Sequence, residues 1–122
     1  MAASFQGFRS LIEHSPDAIS VIDRKGEILY GSASTTKIFG YLPEELVGRN
    51  WLELVHPEDR DDSSRALREV LAKPSGPLQW DTRILHKDGN YCWLESTVSV
   101  VENRLAPGQP SLTYYSLALR AT

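Results

Sequence analysis

The span from Ser34 to Ala72 constrains this chain most: it is a run of short helical signals with strand signals on both sides. Gly40, Pro43, Gly48, Asn50 and Pro57 punctuate it. Ser34 to Gly40 reads as a short helix that turns Ile38 and Phe39 inward. Pro43 suits the first position of the next piece, with Glu44 and Glu45 in the turn where the helix dipole favours acids, and Gly48 ends it. Asn50 can cap the turn "WLEL", which begins at Trp51. Pro57 opens a longer helix to about Ala72, with Ala66, Leu67, Val70 and Leu71 on one face, and Pro74 stops it.

The flanks have a different period. "DAISVID" is β-branched and apolar, "DRKG" turns the chain at Gly26, and "EILYGS" returns it, so a hairpin is expected from about Ala18 to Ser32. After the helical span, "LQWDTRILH", "YCWLESTVSVV" and "LTYYSLAL" read as three strands. The turn "KDGN" joins the first two, and the loop "ENRLAPGQPS" joins the last two. Strands linked mainly by hairpins build an antiparallel sheet. The helical span can carry the chain from the second strand to the third only by crossing one face of that sheet, which it covers. The class is therefore α+β: a five-stranded antiparallel sheet with short helices on one face. Such a wrap leaves a space that side chains or a small ligand fill.

Ahead of the sheet, Ser4 can cap a helix whose apolar stripe is Phe5, Phe8, Leu11 and Ile12, and Pro16 ends it. An amphipathic leader helix over 1–15 and a core over 16–120 make one domain of the 122 residues. With 41% apolar residues, the core needs no metal or disulfide staple. Cys92 is the one cysteine, so no internal disulfide forms. The net charge of −3 is spread among interspersed acids and bases, without the basic stripe that nucleic-acid binding requires. No apolar run approaches the roughly 18 residues of a membrane span. Arg9 and Glu13 interrupt the leader's apolar pattern, unlike a signal peptide. A cytoplasmic location with no membrane insertion of this segment is expected.

Four stretches stand in order: "DAISVIDRKGEILY", "IFGYLPEELVGRN…LVHPEDR", "RILHKDGNYCWLE" and "YSLALR". Together they resemble the PAS domain family over about Phe8 to Arg120. The resemblance implies the PAS fold and the role its members play in bacterial histidine kinases of two-component systems, cyclic-dinucleotide enzymes and transcription regulators. It implies a module that is not an enzyme. Such a module detects a small ligand or partner and relays a conformational change to an effector domain of its parent protein. A ligand-free dimerisation or scaffolding domain is the alternative. Two places depart from the pattern. Ser32 stands where the family often has Asn after the second strand, and "LRAT" stands where an Asp-Ile-Thr linker often follows the last.

The resemblance also bears on cofactors, whose identity stays open. Flavin-binding light sensors of this family carry Gly-X-Asn-Cys-Arg-Phe-Leu-Gln, and "GRNWLELV" stands in the equivalent place. Gly48, Asn50 and Leu54 match, but Trp51 replaces the reactive cysteine, Leu52 the phosphate-binding arginine and Val55 the glutamine. A thioether adduct needs a thiol, which Trp51 cannot supply. Trp51 reads better as a core plug or a surface that stacks on a flat ligand. Haem-binding relatives use a histidine on the long helix, and "DDSSRALREVL" has none, so His-ligated haem is disfavoured. His14, His56 and His86 read as caps or surface residues, and no metal site is expected. Cys92 shares its parity with Leu94 and reads as a buried, inert thiol. The acids of "HPEDR" favour a helix N-terminus and do not read as a catalytic pair.

What remains is a pocket and a face. Alternation sets Trp80, Thr82 and Ile84 on one face of the third strand. It sets Leu94, Ser96 and Val98 on one face of the fourth, and Tyr115, Leu117 and Leu119 on one face of the fifth. The family resemblance points these faces at the helices, where Ile38, Trp51, Leu54, Leu67 and Leu71 approach. They would line a ligand pocket in which Thr82, Ser96 and Tyr115 orient the ligand. The competing reading is a core filled by the same residues, Trp51 and Trp80 above all. On the opposite face Tyr91, Trp93, Val101 and Tyr114 are large for solvent exposure. The leader stripe of Phe5, Phe8, Leu11 and Ile12 could cover them, and a homodimer through these groups is expected. The resemblance finally places Glu45 near Lys87 as an exposed ion pair.

Overall fold

The computed structural model describes residues 16–72, 76–104 and 111–121, with side chains described over 16–72, 76–100 and 115–120. The expected leader helix, with Phe5, Phe8, Leu11 and Ile12, lies outside the described residues. So does the side chain of Tyr114.

The strands are β1 (Ala18–Ile22), β2 (Ile28–Gly31), β3 (Leu78–Leu85), β4 (Tyr91–Arg104) and β5 (Ser111–Ala121). Between β2 and β3 run α1 (Ser34–Phe39), α2 (Pro43–Leu46), α3 (Trp51–Leu54), a 3-10 turn (Pro57–Asp59) and α4 (Arg60–Ala72). The expected helix from Pro57 is thus a 3-10 turn that continues into α4. The sheet order is β2-β1-β5-β4-β3, and every pair is antiparallel. The last hairpin is longer than its loop composition suggests. Pairing continues out to Arg104 opposite Ser111, because ladder hydrogen bonds hold Glu102, Asn103 and Arg104 in the strand.

β5 closes the sheet by lying beside β1, with Ala18 opposite Leu119 and Ile22 opposite Tyr115. The Asp17 carboxylate meets Arg120 at 3.5 Å across the same pair of strands. Alternation places Ile84, Leu94, Val98, Tyr115, Leu117 and Leu119 on one face, all buried. Phe39, Leu46, Trp51, Leu54, Leu67 and Val70 bury against them from the helices. The hydrophobic effect, at roughly 25 cal/mol per Å² of apolar area, therefore holds the layers together, but it does not set their register.

Directional contacts set the register at three places. In the first, the chain around Asn50 runs along the β1–β2 hairpin. Ile28 N–H donates to Arg49 O at 2.8 Å, Gly48 N–H to Ile28 O at 2.9 Å, and Trp51 N–H to Gly26 O at 2.8 Å. Asn50 Oδ1 caps α3 by accepting from Leu52 N–H at 2.9 Å, while its Nδ2 donates to Lys25 O at 3.0 Å. Ser32, the departure from the usual Asn, is wholly buried, and its Oγ accepts from Ile19 N–H at 3.0 Å.

The second is the β3–β4 turn. Lys87 N–H donates to Phe39 O at 3.0 Å, and Lys87 Nζ meets both oxygens of Glu45 at 2.9 and 2.8 Å. The expected Glu45–Lys87 pair is therefore present. The Lys87 hydrogen bond, and then the Leu42 N–H, hold the Glu45 carboxyl below its ordinary range. Gly40 ends α1 with φ 87°, and a Cβ there would stand 2.8 Å from His86 Cε1 and 3.1 Å from Lys87 Cβ.

The third is Asp59. Its Oδ2 accepts from the Arg83 backbone N–H at 2.9 Å and from Nε at 3.0 Å, and its Oδ1 accepts from Nη2 at 2.8 Å. His56 N–H donates to Arg83 O at 2.9 Å, and Glu58 Oε2 accepts from Arg83 Nη2 at 3.1 Å. The Arg83 hydrogen bonds hold the Asp59 carboxyl below its ordinary value of 3.8. The same pairing raises Arg83 above its own.

Two outcomes are expected. Gly40→Ala combines a left-handed backbone with a close contact, so it should cost about 1–3 kcal/mol, read as a lower denaturant midpoint with an unchanged slope. For Asp59 the folded pKa is the lower one, so near 3.8 the unfolded chain binds more protons. Its stabilisation is complete above that value and is lost as pH falls through the folded pKa. Asp59→Asn should lower stability at neutral pH and flatten the acid limb of a stability–pH curve. An acid limb identical to that of the parent protein would refute the assignment.

Candidate functional site

Among the described residues the inner face carries four buried hydroxyl-bearing side chains, Ser20, Thr82, Ser96 and Tyr115. Thr82 on β3 and Ser96 on β4 are both wholly buried, and among the described residues neither Thr82 Oγ1 nor Ser96 Oγ has a hydrogen-bond partner. Thr82 lies opposite Leu94, and Ser96 opposite Trp80, so the two hydroxyl residues are diagonal neighbours on adjacent strands. From the helical layer comes a third such atom, Nε1 of Trp51, on a side chain 2% exposed. The Trp51 ring meets the Trp80 ring edge to face, with centroids 6.3 Å apart. Trp80 itself is satisfied, since its Nε1 donates to Ser63 Oγ at 3.2 Å.

An isolated buried hydroxyl or indole N–H costs about 1–3 kcal/mol relative to a satisfied one. Thr35 Oγ1 is a further atom of this kind, on α1, whereas the hydroxyl of Ser96 stands on the residue opposite Trp80, whose ring Trp51 meets. Two hydroxyls can donate or accept, whereas an indole only donates. The set therefore suits a small polar molecule with at least one acceptor.

The other expected lining residues divide. Leu54, Leu67, Ile84, Leu94 and Leu117 are buried in the common core, and Ile38 and Leu71 pack on its margin. Tyr115 is buried on the same face, but it lies opposite Val100 while Ser96 lies opposite Leu119. Four residues of strand, roughly 13 Å at 3.3 Å each, separate it from the hydroxyl pair. Burial raises its phenol above the ordinary range, and Arg24 opposes that shift. Thr82 and Ser96 are thus neighbours, and Tyr115 does not stand beside them.

The remaining candidates have structural partners. Among the described residues no group of three His, Cys, Asp or Glu side chains is placed to hold a metal. His56 Nδ1 accepts from Glu58 N–H at 3.1 Å, and His86 Nδ1 accepts from Asp88 N–H at 3.1 Å. His14 lies outside the described residues. Cys92 is half-buried, burial raises its thiol pKa, and its Sγ stands 3.5 Å from Ile84 O. On the outer face Tyr91 is 42% and Trp93 54% exposed. His56 packs against the Tyr91 ring at 4.6 Å, and the Arg83 guanidinium lies over Trp93 at 4.9 Å. Among the described residues no helix is long and apolar enough to cross a membrane.

Comparison with known proteins agrees with the fold. The sequence matches the family described as PAS fold over residues 28–108. The blue light receptor lreA of Aspergillus flavus is 36% identical over 88 residues, which make up 72% of this chain and 10% of the receptor. The PAS-B domain of Drosophila melanogaster Cycle, solved with bound ethylene glycol, superposes with a TM-score of 0.75 at 24% identity, covering 86% of this chain and 99% of that one. A PAS domain from a two-component sensor histidine kinase superposes at 0.72 with 18% identity, covering 99% of this chain and 98% of that one. With its sheet order, its helical cover and this match along the sequence, the chain belongs to the PAS domain family.

Proposed function

We propose that this domain is a cytoplasmic sensory module that binds a small polar molecule in its interior and passes the change to an effector of a longer protein. The observation that carries the reading is that three buried polar atoms, Trp51 Nε1, Thr82 Oγ1 and Ser96 Oγ, have no hydrogen-bond partner among the described residues. A ligand acceptor facing the indole, with groups that exchange hydrogen bonds with the two hydroxyls, would satisfy all three. Trp51 and Trp80 would bound it with aromatic surface. The domain acts by binding and carries out no catalysis.

The sheet supplies a route outward. β3 and β4 carry the hydroxyls, β4 pairs with β5, and β5 pairs with β1 at the flank of the domain. A ligand that alters the β3–β4 spacing acts on one continuous ladder. The likenesses to a light receptor and to a histidine-kinase domain support a sensory relay, and a bacterial histidine kinase or cyclic-dinucleotide enzyme is the kind of parent proposed. The blue-light relative does not extend the reading to covalent flavin chemistry, because Trp51 stands where that chemistry needs a thiol.

A second reading, a ligand-free dimerisation or scaffolding domain, is favoured by the mutual packing of Trp51 and Trp80. The two readings predict opposite effects of Thr82→Val and Ser96→Ala together. For a sensor, denaturing mass spectrometry of the purified protein should release a small molecule, and the double variant should lose it. For a scaffold, no molecule is released and the double variant should be more stable by about 1–3 kcal/mol.

We also propose a homodimer through the outer face, where Tyr91 and Trp93 are exposed. Light scattering at tens of micromolar should give twice the chain mass, falling to a single chain for Trp93→Ser. A parent protein that is monomeric at that concentration would exclude the dimer.

A further inference from the structure

β3 is an outer strand, paired with β4 on one side only. Along its free side the N–H and C=O of alternate residues point away from the sheet. At Arg83 both are occupied, by Asp59 and His56. The same alternation turns the backbone groups of Gln79 and Asp81 outward, and no hydrogen-bonding group among the described residues meets them. Pro77 stands at the next outward position and has no N–H to offer. The free edge is thus a short window, closed by a proline at one end and by the Asp59–Arg83 clamp at the other.

The window opens on a groove of about 380 Å³ between β3 and α4. Ala66, Leu78 and Trp80 give it an apolar floor, and Asp62, Glu69 and Asp81 outnumber Arg65 around it. Arg65 is already paired with Asp62 at 3.5 Å, which leaves Glu69 and Asp81 as unpaired acids among the described residues. Trp80 points to the inner face and Asp81 to the outer one, so a strand laid along this edge would meet two environments. Alternate side chains would rest on the apolar floor, and those between would stand beside Asp81. Two copies of this chain joined antiparallel through the window would bring their acidic rims together, so charge opposes self-pairing here.

We propose that the Gln79–Asp81 edge and the adjoining groove form a docking site for an extended segment of a partner protein with alternating basic and apolar residues, added to the sheet as a short strand. The backbone window supplies the hydrogen bonds, Glu69 and Asp81 select positive charge, and the floor takes the apolar side chains. The site shares Trp80 with the interior set but uses none of its unpartnered atoms, so it stands whether or not a ligand occupies the core.

The test titrates the isotope-labelled whole chain with an end-blocked Lys-Val-Lys-Val-Lys-Val peptide and with its Glu-Val counterpart, observed by amide NMR. The Lys-Val peptide should shift the Gln79 and Asp81 amides and slow their exchange at least tenfold, and the Glu-Val peptide should do neither. Asp81→Lys should weaken Lys-Val binding about tenfold. Glu69→Lys, on the exposed side of α4 and outside the sheet, should weaken it without touching the strand. The proposal is overturned if the two peptides bind equally or if neither binds. It also fails if the two amides gain no protection, or if binding survives both charge reversals unchanged.

Discussion

One carboxylate ties the start of α4 to an outer strand of the sheet. Asp59 stands where the 3-10 turn passes into α4, and it takes three hydrogen bonds from a single residue of an outer strand. Two come from the Arg83 guanidinium and one from its backbone, so Asp59 both neutralises a charge and fills a gap in the sheet's edge. The apolar core would bring helices and sheet together without it. It would not decide which turn of the helical span faces which strand, because burial has no direction. The clamp also places the aromatic outer face, since the same guanidinium lies over Trp93.

Much of this was legible in the sequence because punctuation and period are local. Pro43, Asn50 and Pro57 mark helix starts by what their own backbones and side chains can do, and each stands where expected. Strand alternation set Thr82 with Ile84 and Ser96 with Leu94 on common faces, and the family resemblance turned those faces toward the helices. The clamp was not legible. In "DTRIL" Arg83 reads as an ordinary solvent-facing position, and its partner lies 24 residues earlier in the chain. Strand order escaped for the same reason, because the β1–β5 pairing joins the two ends of the domain and leaves no local mark. Alternation told which face Tyr115 occupies but not how far along the sheet. It therefore grouped Tyr115 with a hydroxyl pair from which four residues of strand separate it.

The interior carries a tension between shape and polarity. Trp51 fills the position that a reactive cysteine would need, which removes one chemistry and adds an indole N–H in its place. Thr82 could be Val and Ser96 could be Ala with almost no change of volume, and the layer would then be wholly apolar there. The cost of keeping the hydroxyls is borne in stability, and such costs persist where a site has a use for them.

The Asp17–Arg120 contact has a consequence for how the domain sits in a longer chain. β1 begins beside the end of β5, with Ala18 opposite Leu119, so the first and last strands end one strand spacing apart, about 4.8 Å. The domain can therefore interrupt another sequence as a loop does, without forcing its neighbours apart. Any slip between those two strands moves the Ala18 end of one and the Leu119 end of the other in opposite directions, so this pair of strand ends registers shear in the sheet without any contact with the interior.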